Sequence, residues 1–222
     1  MFRLLVFDWD GTLMDSEARI VESALVAIGE LGLPARSRDA IRDIIGLGLP
    51  EAMHALYPEL PWSHHAALID RYRSHFLAEG GVPMPLFPGA RETLATLRAR
   101  GHVLAVATGK SRRGLDQALA ETGLAPLFAA TRCADETRSK PDPQMLFEIM
   151  DEIGGDPAET LMIGDSEFDL QMAAGAGVAA VGVGYGVKGC ERLLDYQPLT
   201  CLDAIEQLPG WLGARRPGGE RG

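Results

Sequence analysis

Short apolar runs alternate with helical patterns along much of this chain, and that alternation limits its possible folds more than any other feature. A run of about four to eight apolar residues is typical of a strand buried on both faces, and helices between such strands indicate parallel pairing. The runs that fit lie at residues 3–8, 102–107, about 127–131, 160–164 and 178–183. The sequence therefore predicts an α/β fold with a Rossmann-like parallel sheet.

Helical patterns occupy the intervals between the later strands. They predict helices over residues 111–121, 143–153 and 168–174. Gly123 and Gly154 stand where two of these helices should end, because glycine adopts the left-handed conformation of a helix C-terminus without strain.

The interval between the first two predicted strands is much longer. Residues 9–101 separate them, whereas a parallel crossover needs only about a dozen residues. Apolar residues recur there at helical spacing in three groups: Val21, Ala24, Leu25 and Ile28; Ile41, Ile44 and Ile45; and Ile69, Tyr72 and Phe76. Ser37 and Ser63 are candidate N-caps of the second and third helices. We therefore predict a small helical cap domain, inserted after the first strand.

This insertion sets the expected domain boundaries. The core of the fold should comprise residues 1–14 and 83–213, and the cap residues 15–82. The last residues, 214–222, are polar and rich in glycine and arginine, which predicts a disordered tail.

The charge of the chain excludes two kinds of partner. Its 21 Lys and Arg residues against 31 Asp and Glu residues give a formal net charge of −10. A nucleic-acid polymer and an anionic membrane surface would both repel such a chain. No run reaches the roughly 18–20 apolar residues of a membrane-spanning helix. We therefore expect a cytoplasmic protein, a monomer or a homodimer, whose partners are small molecules.

The cysteines fit a reducing compartment. The chain contains Cys133, Cys190 and Cys201, an odd number without Cys-x-x-Cys spacing. We therefore expect neither a disulfide framework nor a zinc site.

Polar and charged residues follow four of the predicted strands. The segments are DWDGT at 8–12, TGK at 108–110, KPDP at 140–143 and GDSEFD at 164–169. Ligand sites in open α/β sheets gather at the carboxyl ends of the strands. The four segments should therefore lie close together.

The two aspartates of the first segment suggest a metal site. In an extended chain Asp8 and Asp10 would project to one side, where two like charges are unfavourable without a cation. Mg²⁺ prefers oxygen ligands and would relieve the repulsion, with Asp165 completing the carboxylate set. A substrate phosphate would then be neutralised by the same Mg²⁺ and by Lys140, while the Thr108 hydroxyl and the backbone N–H groups that follow it donate hydrogen bonds.

Four motifs, FDWDGTLMDS, VATGK, KPDP and IGDSEFD, stand in this order in the sequence. In order and spacing they resemble the haloacid dehalogenase superfamily, in its branch of small capped phosphatases similar to phosphoglycolate phosphatase. The resemblance extends to about residue 208. It implies a core with a helical cap that closes over the site.

The resemblance also implies roles for the aspartates. Asp8 matches the nucleophile that forms an aspartyl-phosphate. Asp10 matches the general acid/base that protonates the leaving alcohol and then activates water. Asp8, the main-chain carbonyl of Asp10, and Asp165 match the ligands of Mg²⁺.

Further residues match supporting positions of the family. Thr108, Gly109 and Lys140 correspond to the groups that hold the phosphoryl group, although many relatives have Asn where this chain has Gly109. Asp169 and Ser166 correspond to supporting residues of the metal site.

Cap residues set the substrate in this family. The candidates here are Ser16 and Glu17, at the start of the cap, and the loop residues Gly46, Leu47 and Gly48.

Single residues separate the activities within the family. Dehalogenases generally lack the second aspartate, here Asp10. Phosphonatases use a cap lysine, and residues 15–85 contain none. Sugar phosphomutases usually carry a histidine where this chain has Ile20. The resemblance therefore favours a phosphatase.

The substrate stays open at this point. Phosphoglycolate is the default, and pyrophosphate, a nucleoside monophosphate or a small sugar phosphate are alternatives. A phospho-acceptor signalling domain, which also places Asp, Thr and Lys at strand ends, is the alternative outside the enzymes.

Overall fold

A computed structural model describes residues 2–78 and 80–215. Within them, parallel strands form a six-stranded sheet with the order β3-β2-β1-β4-β5-β6. The strands are β1 (Leu4–Phe7), β2 (Val103–Thr108), β3 (Ala130–Cys133), β4 (Thr160–Gly164), β5 (Ala179–Val183) and β6 (Cys201–Leu202). The predicted parallel α/β sheet is confirmed, and β6, whose two residues are too few to show a pattern, was not predicted.

In the described part of the long interval between β1 and β2, four helices precede the helix at Ala90–Ala99 and form the inserted region. They are α1 (Glu17–Glu30), α2 (Arg38–Arg42), α3 (Leu49–Leu56) and α4 (Trp62–Phe76). Ser37 caps α2 as expected, since its hydroxyl accepts a hydrogen bond from the backbone N–H of Ala40 at 3.1 Å. The prediction of Ser63 as an N-cap was wrong. Pro61 takes the extended conformation there, so α4 begins before Ser63.

Six further helices belong to the core. They are α5 (Ala90–Ala99), α6 (Arg112–Thr122), α7 (Gln144–Ile153), α8 (Glu167–Gly175), α9 (Gly189–Leu194) and α10 (Leu208–Ala214). Gly123 and Gly154 end α6 and α7 in the left-handed conformation, as predicted. Of the predicted tail, Ala214 is the last residue of α10, and residues 216–222 lie outside the described part of the chain.

Helices cover the sheet on both faces. Leu5 and Phe7 of β1 point into a cluster formed with α5, α6 and α10. Leu4 and Val6 point into a second cluster, formed with α7 and α8. Because both faces of β1 are buried, the strand reads as a continuous apolar run and lies at the centre of the sheet. In the described residues no helix has the length and apolar character needed to cross a membrane.

The cysteine prediction was wrong. Cys190 of α9 and Cys201 of β6 form a disulfide, with their Cα atoms 5.7 Å apart. The chain leaves β5, forms α9 and returns to pair β6 with β5, which brings together two residues eleven positions apart. The odd count misled because Cys133 is buried and free. Cysteine number therefore gives no support to a reducing compartment.

Arg19 of α1 joins the start of the cap to the chain segment that leads from the end of α4 back to the core. Its buried guanidinium donates to the carbonyl oxygen of Phe76 from Nε at 3.0 Å and from Nη2 at 2.6 Å. It also donates to the carbonyl oxygens of Ala78 at 2.5 Å and Val82 at 3.1 Å. The segment that returns from α4 to the core is thereby held against the first cap helix.

Replacing Arg19 with methionine should destabilise the protein. The variant leaves buried carbonyl oxygens without their charged donor, and hydrogen bonds to charged groups contribute about 1.5–3 kcal/mol each. We expect the free energy of unfolding in urea to fall by about 2–4 kcal/mol.

Arg71→Met is the matched control, because this α4 arginine is exposed and lies 3.8 Å from its partner Glu30. Its effect should stay within about 0.5 kcal/mol. Equal losses in the two variants would contradict the structural role of Arg19.

Candidate active site

Three neighbouring strands deliver the central residues of the site. Asp8 follows β1, Thr108 ends β2 and Asp165 follows β4. The strands share one register, in which Phe7 lies beside Val106 on one side and Ile163 on the other. Their carboxyl ends therefore meet at one level, as the sequence predicted.

Lys140 lies between two buried aspartates. Its Nζ is 2.7 Å from Oδ1 of Asp8 and 2.6 Å from Oδ1 of Asp169. Burial alone would lower the pKa of Lys140, but the charges of Asp169 and Asp8 raise it above its usual value. The ammonium group therefore stays charged and fixed.

Ser166 fixes Asp169 from the other side. The Ser166 hydroxyl donates to Asp169 Oδ2 at 2.7 Å, and its backbone N–H donates to the same oxygen at 3.1 Å. One Asp169 oxygen thus faces Lys140 and the other faces the start of α8. Asp169 and Ser166 together hold the lysine in place.

Three carboxylates form a set that fits a divalent cation. Oxygens of Asp8, Asp165 and Asp169 all lie within 4.8 Å of one another. Burial, aided by the Asp169 charge, raises the pKa of Asp165 to about 7. Burial also raises the pKa of Asp8 well above its usual value, although Lys140 opposes the shift. Asp8 Oδ2 is buried and accepts no hydrogen bond from the described residues. These three carboxylates carry more negative charge than Lys140 offsets, and such a set of oxygen ligands suits Mg²⁺.

The backbone of the first motif passes so close to the Asp165 side chain that position 11 must be glycine. Asp165 Oδ2 accepts a hydrogen bond from the Val187 N–H at 2.7 Å, and Oδ1 accepts one from the Thr12 hydroxyl at 3.2 Å. Gly11 has φ +79°, and a Cβ there would lie 2.1 Å from Asp165 Oδ2. Only glycine allows the chain to turn this close to the carboxylate.

Asp10 has a separate environment. Its side chain accepts hydrogen bonds from the Ser16 hydroxyl at 2.5 Å and from Lys110 Nζ at 2.9 and 3.1 Å. It therefore lies outside the carboxylate set of Asp8, although both side chains border the same cavity.

Lys110 was not identified from the sequence. Two signals could have found it: it stands within the second motif, and the chain contains only three lysines, Lys110, Lys140 and Lys188. Its pairing with Asp10 depends on the folded geometry, which the spacing alone does not show.

The second motif also contacts the cap. Thr108 is buried, and its hydroxyl accepts a hydrogen bond from the Lys110 N–H at 3.2 Å. A Cβ at Gly109 would lie 2.6 Å from the carbonyl oxygens of Gly46 and Leu47. A side chain at position 109 would thus collide with the cap loop, which explains the glycine found there.

A cavity of about 80 Å³ lies between the cap and the aspartates. Its cap side is apolar and includes Ile20, Ala24, Ile44, Leu47, Tyr72 and Phe76.

The predicted specificity residues divide into two groups. Gly46 and Leu47 line the cavity. Ser16, Glu17 and Gly48 do not: Ser16 donates to Asp10, Glu17 pairs with Arg42 at 2.5 Å, and the Gly48 N–H donates to Ser139 Oγ at 2.7 Å.

An ionic contact joins cap and core away from the cavity. Asp43, which follows α2, accepts hydrogen bonds from Lys188 at 2.7 Å and Arg192 at 2.8 Å. These cations lower the pKa of Asp43 below its usual value. Arg192 also pairs with Glu167 at 2.7 Å, so the contact continues to the first turn of α8.

Comparison with known proteins identifies the family. Residues 5–183 match the model of the haloacid dehalogenase-like hydrolases, and the chain belongs to that family. A phosphoglycolate phosphatase of Agrobacterium fabrum is 34% identical over 210 residues, 92% of this chain and 90% of that protein. "Probable phosphatase IndB" of Dickeya dadantii is 35% identical over 212 residues, 93% of this chain and 92% of that protein.

A solved structure shares the fold. It is described as a predicted phosphoglycolate phosphatase from Haemophilus somnus 129PT, and it is 25% identical to this chain, with a TM-score of 0.86. The similarity covers 95% of this chain and 98% of that one. The predicted family is confirmed, and with it the prediction that the chain is a hydrolytic enzyme.

Adding a methyl group at Gly109 should loosen the cap. Gly109→Ala places a Cβ against two backbone oxygens that cannot rotate away, so the loop at residues 44–48 must move. We expect backbone hydrogen exchange of this loop to rise at least tenfold, while α7 keeps its protection.

Gly114→Ala is the control for this variant, because a Cβ there lies 3.4 Å from Ser111 Oγ, an ordinary contact. It should leave the loop's exchange unchanged. Unchanged hydrogen exchange of the loop in Gly109→Ala would show that the cap loop does not depend on the close contact with this residue.

The metal-free protein should lose stability as pH rises from 5 to 8. Since the pKa of Asp165 is about 7 in the folded chain and near 3.8 when unfolded, the folded state binds this proton more tightly. The resulting stabilisation is complete below pH about 4 and is lost as pH rises through 7. Thermal unfolding in EDTA measures this, with Asp165→Asn as reference.

The wild-type midpoint should fall relative to that of Asp165→Asn over this pH range. Mg²⁺ should raise the wild-type midpoint more at pH 8 than at pH 5. Two results would count against Asp165 as a metal ligand. One is a pH dependence of the unfolding midpoint that is the same in the wild type and in Asp165→Asn, and the other is a Mg²⁺-induced rise in the midpoint that is equal in the two proteins.

Proposed function

We propose that this protein is a Mg²⁺-dependent phosphatase that hydrolyses a small phosphate monoester through an aspartyl-phosphate on Asp8. One observation carries the proposal. Asp8, held by Lys140 beside Asp165, borders the same cavity as Asp10. A nucleophile and an acid/base thus face one cavity.

Asp8 is suited to attack phosphorus. Its Oδ1 is directed at Lys140, while its Oδ2 accepts no hydrogen bond from the described residues. That oxygen forms the bond to phosphorus as the bond from phosphorus to the alcohol oxygen breaks. The Lys140 charge and the Thr108 hydroxyl offset the charge on the phosphoryl oxygens.

Asp10 supplies and removes the protons. It first protonates the departing alcohol oxygen, and it then accepts a proton from the water that attacks the aspartyl-phosphate. That attack breaks the bond between phosphorus and Asp8 and releases inorganic phosphate. Ser16 and Lys110 orient the Asp10 carboxyl for both steps through their hydrogen bonds.

Mg²⁺ would be held by Asp8, Asp165 and the main-chain carbonyl of Asp10. When bound, it neutralises phosphoryl oxygens and so lowers the repulsion between substrate and the aspartates. Asp169 acts on the same region by fixing Lys140. The cap excludes water from the site through its apolar wall.

Phosphoglycolate is the first substrate to test, since two relatives, 33% and 34% identical to this chain, carry the name phosphoglycolate phosphatase. Pyrophosphate, nucleoside monophosphates and small sugar phosphates are the alternatives within the family. The expected partner is a small phosphorylated metabolite. The cytoplasmic location and the monomeric or homodimeric state stay predictions.

Hydrolysis of a generic aryl phosphate tests the mechanism. The wild type should release phosphate over many turnovers with Mg²⁺ and stop in EDTA. Asp8→Asn, which removes the nucleophile, should lose at least about a thousandfold in kcat. Asp70→Asn, at an exposed aspartate of α4, should keep the wild-type rate.

Acid quenching during turnover should trap phosphate on the wild-type chain and none on Asp8→Asn. Phosphorylation that stops at one equivalent and persists would instead favour the phospho-acceptor domain. Turnover that survives EDTA would contradict the role of Mg²⁺.

A further inference from the structure

We propose that this enzyme acts on phosphate monoesters of small, uncharged and mainly apolar alcohols, which the cap recognises through apolar contact. The inference rests on the proposed phosphatase and names its substrate class. It departs from phosphoglycolate, whose carboxylate would bring a second anion into the cavity. Its basis is the composition of the cavity wall that the cap provides.

The alcohol part of the substrate lies between Asp10 and the cap. Asp8 and Asp10 both border the cavity, so an ester whose phosphorus faces Asp8 directs its ester oxygen to Asp10, as general acid catalysis requires. The carbon atoms beyond that oxygen extend into the rest of the cavity, where most of the bordering residues belong to the cap. The cap wall therefore contacts the alcohol.

The cap wall offers the alcohol few polar groups. Among the described cap residues that border the cavity, Tyr72 and Arg73 are the ones whose side chains carry a polar group. The rings of Tyr72 and Phe76 stack with their centres 5.5 Å apart, which adds aromatic surface to the wall. A sugar would leave most of its hydroxyl groups without partners there, and buried polar groups without partners are unfavourable.

The basic residues of the cavity are engaged elsewhere. Among the described residues that border it, Lys110 and Arg73 are the basic ones. Lys110 Nζ donates to both carboxylate oxygens of Asp10, at 2.9 and 3.1 Å, and lies 4.6 Å from the ring centre of Phe76. The Arg73 side chain is 45% exposed to solvent and lies 3.9 Å from Asp70. A carboxylate against the cap wall would therefore lack a cation, and burying an unpaired charge is costly.

The volume of the cavity limits the alcohol to a small one. The cavity of about 80 Å³ holds roughly five to eight water-sized groups, since one water needs about 10–15 Å³. A branched alcohol of about four carbon atoms fits such a space. A nucleoside, with many more heavy atoms, does not.

Leu47 is the wall residue best suited to a test. It is half-buried and borders the cavity. In the described part of the chain it does not belong to the apolar cluster of the cap, which is built around residues such as Ile41, Met53 and Leu68. A substitution at Leu47 therefore changes the wall of the cavity without removing packing from the cap core.

The test compares isobutyl phosphate with phosphoglycolate. The two esters have the same arrangement of heavy atoms, and they differ in carrying an isopropyl group or a carboxylate. With Mg²⁺, the wild type should show a kcat/KM for isobutyl phosphate at least about 100-fold above that for phosphoglycolate, because only the carboxylate must lose its hydration without gaining a partner.

Leu47→Arg should reduce this ratio by about 10- to 100-fold, since the new guanidinium gives the carboxylate a charged donor. Val26→Arg is the matched control. Val26 lies in α1, is 43% exposed and does not border the cavity. It adds the same charge to the cap outside the cavity and should leave the ratio unchanged.

Binding without turnover supplies a second measurement. In an Asp8→Asn background, calorimetry should give a lower Kd for isobutyl phosphate than for phosphoglycolate. The heat-capacity change of binding should also be more negative for isobutyl phosphate, because its binding buries more apolar surface.

The outcomes separate this inference from the proposed function. If the wild type shows no Mg²⁺-dependent turnover of these two esters or of the aryl phosphate, the phosphatase itself is rejected. Turnover with equal efficiency on the two esters, or with a preference for phosphoglycolate, would leave the phosphatase standing and overturn the apolar substrate class. A preference for phosphoglycolate that disappears in Arg73→Gln would identify Arg73 as the partner of the carboxylate, with the same consequence. An equal fall of the ratio in Leu47→Arg and Val26→Arg would contradict recognition by the cavity wall.

Discussion

The buried ion pairs of Lys140 with Asp8 and Asp169 are the interaction on which the rest of the site depends. With Asp165 close by, three carboxylates lie together, and the one ammonium group pairs with two of them. An excess of buried negative charge is costly, and the fold retains it because β1 and β4 are adjacent and fixed in register. Burial, together with the charges of the neighbouring aspartates, raises the pKa values of Asp8 and Asp165, and a divalent cation would relieve the excess of negative charge.

The sequence predicted those parts of the molecule that depend on local patterns. The apolar run of β1 and the glycine after α6 are local signals, and both were confirmed. The proximity of Asp8 to Lys140 was also accessible, because carboxyl ends of parallel strands meet at one edge. The disulfide between Cys190 and Cys201 was not accessible, since it depends on the path from β5 to β6.

The cap shows the same limit more sharply. Its helical character is visible in the spacing of its apolar residues, but its position on the core is not. The position of the cap on the core depends on three contacts. Gly109 approaches the cap loop closely because it has no side chain, Asp43 pairs with Lys188, and Arg19 donates hydrogen bonds to the chain segment that follows α4. Each of these contacts joins residues more than 50 positions apart, and no local pattern records such a contact.

The two lysines of the site differ in the number of aspartates with which they pair. Lys140 is shared by Asp8 and Asp169, so it cannot follow a ligand without leaving two buried charges unpaired. Lys110 has one acidic partner, Asp10, and borders the cavity. A fixed cation suits the phosphoryl group, which is common to all substrates of such an enzyme. Lys110, at the cap boundary, instead pairs with the proposed acid/base Asp10. The site therefore contains two separate ion-pair groups, one around Lys140 and one between Lys110 and Asp10, both anchored in the core.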